Sequence, residues 1–129
     1  MINGFEEYTK ELNKDEIKML PIIAKGLNKK RGEKLAVTNE QIATGMKSVG
    51  HKIGSARVRK LINVIRRYSL VNFLIATSKG YYVASERKQV VDYIESLKQR
   101  EEAINQVRTS LEKQLAEYDK TYPDESKNN

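Results

Sequence analysis

Thirteen lysines and arginines fall between Lys25 and Tyr82, and only two carboxylates, Glu33 and Glu40, fall among them. Such a block does electrostatic chemistry: it binds a polyanion by displacing the counterions condensed on its phosphates. It does not suit catalysis, because a nuclease or a tyrosine transesterase needs clustered histidines or carboxylates and the block holds one histidine, His51. The chain has no cysteine, which excludes disulfides and thiolate sites, and one imidazole does not build a zinc centre. The sequence therefore predicts no enzyme, no metal and no cofactor, and His51 reads as a polar turn residue.

Nine residues are the candidates for DNA contact: Lys52, Ser55, Arg57, Arg59, Lys60, Asn63, Arg66, Arg67 and Lys79. Arg57 and Lys60 stand early in a predicted helix, where base edges are usually read, and Asn63 offers the paired donor and acceptor that match adenine. Arg66 and Arg67 stand late, where phosphate contact or complementation of the helix dipole is expected. Ser55 is read as that helix's N-cap, and Lys79 as the tip of a hairpin. Reversing the charges of Arg57 and Lys60 is expected to abolish duplex binding without lowering the melting temperature. Duplex binding by this block requires Arg57, Lys60 and Lys79 to form one outward surface that is not buried against the chain's own carboxylates.

Placing these groups needs a scaffold, and the sequence signals one. Asn13 followed by Glu16 is a capping box that opens a first helix, in which Ile17, Leu20, Ile23, Ala24 and Leu27 recur at helical spacing. Pro21 inside that pattern predicts a kink or an irregular stretch, and the helix is expected to stop near Asn28. Thr38 and Gln41 form a second box ahead of a short helix with Ile42, Ala43 and Met46 inward. Val58, Leu61, Ile62 and Ile65 give the third helix its apolar stripe. The period then changes: Val71 to Ile75 and Tyr81 to Val83 favour strands around the turn Thr77 to Gly80, with Val37 a thin signal for a third strand and one of Tyr81 and Tyr82 inward.

From Ser85 no glycine or proline occurs until Pro123, so a helix of roughly 30 residues is expected. Val90, Leu97, Ile104, Leu111 and Tyr118 repeat every seven residues, and Ile94, Glu101, Arg108 and Leu115 hold the companion positions. Ile94, Leu97, Ile104, Leu111 and Leu115 are the candidate dimerisation residues. Glu101 and Arg108 argue against a simple parallel zipper and would suit an antiparallel pair.

Helix, helix, basic helix and hairpin in this order form the winged helix-turn-helix pattern, in which the third helix enters the major groove. Gly54 to Arg67, followed by Ile75-Ala76-Thr77-Ser78-Lys79-Gly80-Tyr81-Tyr82-Val83-Ala84, resembles small winged-helix proteins of bacteriophage and prophage replication or early regions. The hairpin alone is similar to the biotin-operon-repressor type of winged helix. The resemblance runs from about Thr38 to Leu111 and implies a DNA-associated role. The segment Tyr68 to Phe73 departs from it by lacking the glycine often found there.

The expected fold is mainly α with a small β-hairpin: an N-terminal arm at 1–12, a winged helix-turn-helix domain at 13–84, a long helix for dimerisation at 85–119 and a disordered tail at 120–129. The expected function is duplex DNA binding in transcription control or replication initiation. The alternative is an adaptor that uses the winged helix and the long helix to bind a phage or host replication or regulatory protein. The expected partners are double-stranded DNA and a second copy of the chain. No apolar run approaches the roughly 20 residues of a membrane span, and the acidic start lacks a secretion signal, so the cytoplasm of a bacterial or phage-infected cell is the expected location.

Overall fold

Two reciprocal caps set the first two helices. In α1 (Lys14–Leu27) the Asn13 side chain accepts from the Glu16 N–H at 2.8 Å and the Glu16 carboxylate accepts from the Asn13 N–H at 3.0 Å. In α2 (Asn39–Ser48) Thr38 and Gln41 repeat the exchange at 3.1 and 2.9 Å. Each pair satisfies two of the amide donors that a helix start leaves without partners. The computed structural model describes residues 9–126, and beyond α2 these include α3 (Ser55–Arg67), β1 (Leu74–Thr77), β2 (Gly80–Val83), α4 (Arg87–Thr121) and the single turn α5 (Pro123–Ser126). They form two compact units, divided between Val90 and Val91.

α1 runs through Pro21 without a break, so the irregular stretch that was one of the two expected outcomes does not form. Proline removes the N–H that would bond the Ile17 carbonyl, but Pro21 is exposed, where water can take that place. The expected N-cap of α3 is also corrected. Gly54 caps it with no side-chain bond, its carbonyl accepting from Arg57 and Val58, and Ser55 is the first helical residue.

The core of the first unit joins Met19, Leu20, Ile23 and Leu27 of α1 to Met46 of α2 and to Val58, Leu61, Ile62, Val64 and Ile65 of α3. Each such side chain stabilises the fold by roughly 1.5–3 kcal/mol, so α3 is held by one face and presents the other. Gly45, in the interior of α2, would meet nothing within 4 Å if given a Cβ. Gly45→Ala is expected to raise stability by about 0.5–1 kcal/mol through helix propensity alone, read as a higher melting temperature.

β1 and β2 pair antiparallel with Thr77 opposite Gly80, leaving Ser78 and Lys79 as a two-residue loop. The chain between α1 and α2 adds to this sheet on both sides of its 3-10 turn (Glu33–Leu35). Val37 exchanges backbone hydrogen bonds with Tyr81 at 2.7 and 2.9 Å, and Val83 donates to Lys30 at 2.7 Å and accepts from Gly32 at 2.8 Å. Val37 is thus the third-strand contact that one residue had hinted at. Tyr82 is the inward tyrosine, while Tyr81 is half-buried and donates its hydroxyl to Asn39 at 2.8 Å. Before β1, Ser69 and Phe73 take φ values of 56° and 60°, in the left-handed region, where a glycine would be conformationally easier.

Thr9 and Leu12 are buried, so the described part of the expected N-terminal arm packs on the domain; residues 1–8 lie outside the described residues. α4 is 35 residues long. It starts where the Gln89 side chain accepts from the Ser85 and Glu86 amides, at 2.7 and 3.2 Å. It ends two residues beyond the expected boundary, and a helical turn follows at Pro123–Ser126, where a disordered tail was expected; residues 127–129 lie outside the described residues.

Candidate nucleic-acid interface

The nine candidate residues divide into three groups. Arg59, Asn63 and Arg66 are exposed and recur at i, i+4 and i+7, on the side of α3 opposite Leu61 and Ile65. Ser55 is exposed at the start of this surface, and Lys52 is exposed in the loop before it. α3 carries no acidic residue, and its N-terminus has no side-chain cap, so the positive end of its dipole is unopposed by any carboxylate of its own. Arg59, Asn63 and Lys52 have no ion-pair or hydrogen-bond partner for their side chains among the described residues.

The second group lies on the flank of α3. Arg57, expected to face outward, sits seven residues before the buried Val64 and therefore shares its face. Its guanidinium bonds Glu16 with two nitrogens, each at 2.6 Å, and also donates to the Glu11 carbonyl at 3.3 Å. The Glu16 side chain is 5% exposed and that of Arg57 48%, so the carboxylate is the buried partner and the arginine its solvent-facing clamp. Arg57 holds the Glu16 carboxyl below its ordinary range, outweighing the burial that pushes it up. Glu16 in turn raises the Arg57 pKa.

Lys60 is paired with Glu11, whose pKa it lowers first by that hydrogen bond and then by its charge. Arg67 ends this flank with its guanidinium carbon 5.3 Å from the centre of the Tyr68 ring. His51 joins the same seam, its Nδ1 lying 3.1 Å from Asp15. The acidic first turn of α1 and the segment before it thus supply carboxylates to three groups at or near the start of α3. Arg57 is a structural residue of this seam, and reversing its charge would set two carboxylates together. The expectation that Arg57→Glu with Lys60→Glu leaves stability intact is withdrawn for that reason.

The third group is Lys79, exposed in the hairpin loop and bonded to Glu33 at 2.8 Å, which raises its pKa. Pairs as exposed as Lys79 with Glu33 and Lys60 with Glu11 are worth about 0–1 kcal/mol in general and weaken with salt, so a phosphate can compete for either lysine. Arg57, held by a buried carboxylate, is not released in this way.

Sequence reasoning missed one cationic segment. In sequence the run Asn28-Lys29-Lys30-Arg31-Gly32 suggests no more than a solvated basic loop, but the pairing of Lys30 and Gly32 with Val83 brings it to the hairpin. The signal was Gly32 at φ 93° directly after three cations, a backbone position that glycine adopts without strain. The hairpin thus has cations at both ends, Lys79 in its turn and Lys29 to Arg31 beside Val83.

Elsewhere in the first unit, α1 and α2 border an apolar groove of about 460 Å³ that includes Ile22, Gly26, Ile42, Gly45 and Val49. Among the described residues no helix is long and apolar enough to cross a membrane. No protein-family model, no curated protein and no solved structure matches the chain.

Proposed function

We propose that the chain is a winged helix-turn-helix protein that binds duplex DNA, with α3 in the major groove and the hairpin with its basic loop against the backbone. One observation carries the reading: Arg59, Asn63 and Arg66 share the exposed face of a helix whose other face is fully buried. Arg59 matches the paired acceptors of guanine and Asn63 the acceptor and donor of adenine. Lys52, Ser55, Arg67 and the cations at the hairpin serve as phosphate contacts. Lys60 joins them by exchanging Glu11 for phosphate. The proposal includes a role in transcription control or replication initiation in a bacterial or phage-infected cell, the setting expected from the sequence of Gly54 to Arg67 and of the hairpin.

Arg59→Glu combined with Asn63→Ala is expected to weaken duplex binding by roughly 100-fold or more, at about 1–3 kcal/mol for each base contact. The melting temperature should stay near the wild-type value, since neither side chain has a partner among the described residues to lose. Lys52→Ala is expected to reduce the slope of log affinity against log salt by about one. Both are read by fluorescence anisotropy on a labelled duplex across a salt series.

The adaptor reading is favoured by the exposed Ile22 and Val49 at the α1–α2 groove and by the cations already neutralised internally. It predicts no duplex binding at micromolar protein in low salt, or binding that salt does not affect. Either result would remove the DNA proposal.

A further inference from the structure

α4 has no buried residue, although Ile94, Leu97, Ile104, Leu111, Leu115 and Tyr118 recur on it at successive spacings of three, seven, seven, four and three. The stripe spans roughly 36 Å at 1.5 Å per residue, and Ile104 is 68% exposed. Ile104, Val107, Leu111 and Leu115 line one shallow apolar hollow along it, the shape that receives a knob from a facing helix. Two charges break the stripe, Glu101 and Arg108. They decide what can cover it.

In a parallel pair in register, Glu101 would face Glu101 and Arg108 would face Arg108, two like-charge contacts inside the seam. The flanking positions would set Arg100 beside Asn105 and Val107 beside Glu112, with no opposite charges to compensate. An antiparallel pair centred on Gln106 reverses each of these terms. Leu97 then meets Leu115 of the second copy, and Ile94 meets Tyr118. Glu101 and Arg108 of opposite helices come one layer apart, about 4.5 Å along the axis by the helical rise. Lys98 lies beside Glu112 across the seam. Val107, which would meet a glutamate in the parallel pair, meets its own copy beside the charged layers. Arg108 is bonded on its own helix to Glu112 at 2.8 Å and to Asn105 at 2.7 Å. These are exposed contacts of the exchangeable kind.

We infer that α4 is an antiparallel self-association helix, with Glu101 and Arg108 as the pair that selects a second copy of this chain and fixes its direction. The inference is independent of DNA binding. The charges act as negative selection against the parallel pair as much as attraction in the antiparallel one.

The test uses the full chain in sedimentation equilibrium. The wild type is expected to be a dimer. Glu101→Arg and Arg108→Glu are each expected to weaken it by roughly tenfold or more, and the double variant to restore it, because only an antiparallel arrangement sets position 101 beside position 108. The absence of native cysteine makes a second readout clean. Val107→Cys should cross-link to itself on oxidation, whereas Leu97→Cys should cross-link only in a mixture with Leu115→Cys. A monomer at every concentration overturns the inference, as does efficient self-cross-linking of Leu97→Cys or a double variant no tighter than the single ones.

Discussion

Gly80→Ala is expected to destabilise the first unit by about 3 kcal/mol or more, which for a domain of this size lowers the melting temperature by roughly 12–24 °C. Two constraints meet at this residue. Its φ of 121° lies where a side chain is strained. A Cβ there would also stand 2.6 Å from the Val37 carbonyl carbon, closer still to its oxygen, and 3.1 Å from the Thr38 nitrogen. The obstacle is backbone, so no side-chain rotation relieves it. The hairpin must move off Val37, and the two hydrogen bonds between Val37 and Tyr81 go with it. Gly32→Ala is the control: its φ is 93°, but its nearest neighbour would be the Ser85 hydroxyl at 3.6 Å, an ordinary contact. It should cost only about 1–2 kcal/mol. Thermal unfolding by circular dichroism reads both, and equal losses at the two glycines would refute the close packing of Val37 against the hairpin.

The ion pair between Glu16 and Arg57 carries the second large effect. Glu16→Gln keeps an oxygen for the Asn13 amide and removes the charge, and a loss of about 1–2 kcal/mol is expected, toward the low end for a charged hydrogen bond because Arg57 is half in water. Arg57→Leu should cost more than Glu16→Gln, since it leaves a buried carboxylate without its cation. The pair also dictates acid sensitivity. Glu16 is held below its ordinary value of 4.5 in the folded chain, chiefly by the Arg57 hydrogen bond. A group depressed on folding contributes its full stabilisation above its unfolded pKa and loses it as pH falls through the folded one. Wild-type stability should therefore decline below about pH 4.5, and the Glu16→Gln variant should decline less over that window. Parallel pH profiles for the two proteins would disprove the assignment.

Features whose cause is local in the chain were legible from the residues. The boxes at Asn13 and Thr38, the loop at Ser78 and Lys79 and the long helix after Ser85 all depend on side chains within about four positions of one another or on composition alone. Arg57 was misread because the inward stripe of α3 was drawn through Val58, Leu61, Ile62 and Ile65. Val64 widens that stripe, and including it would have turned Arg57 toward α1. Its partner Glu16 lies 41 residues away, and no local pattern announces such a pair. The need for glycine at position 80 is likewise invisible until Val37 is placed against the hairpin. Arg59, Asn63 and Arg66 were legible because the face opposite a complete apolar stripe follows from helical geometry.

The attachment of the hairpin to the α1–α2 connection has a kinetic meaning. Tyr81 reaches back 42 residues to Asn39, so this docking closes one of the largest loops in the first unit, and the chain entropy must be lost before any bond rewards it. The seam that joins Glu16 to Arg57 closes a loop of nearly the same size, 41 residues. Docking the hairpin and docking α3 on α1 therefore carry similar chain-entropy costs, and the hairpin's basic loop is tied to the domain by contacts as non-local as those that hold α3.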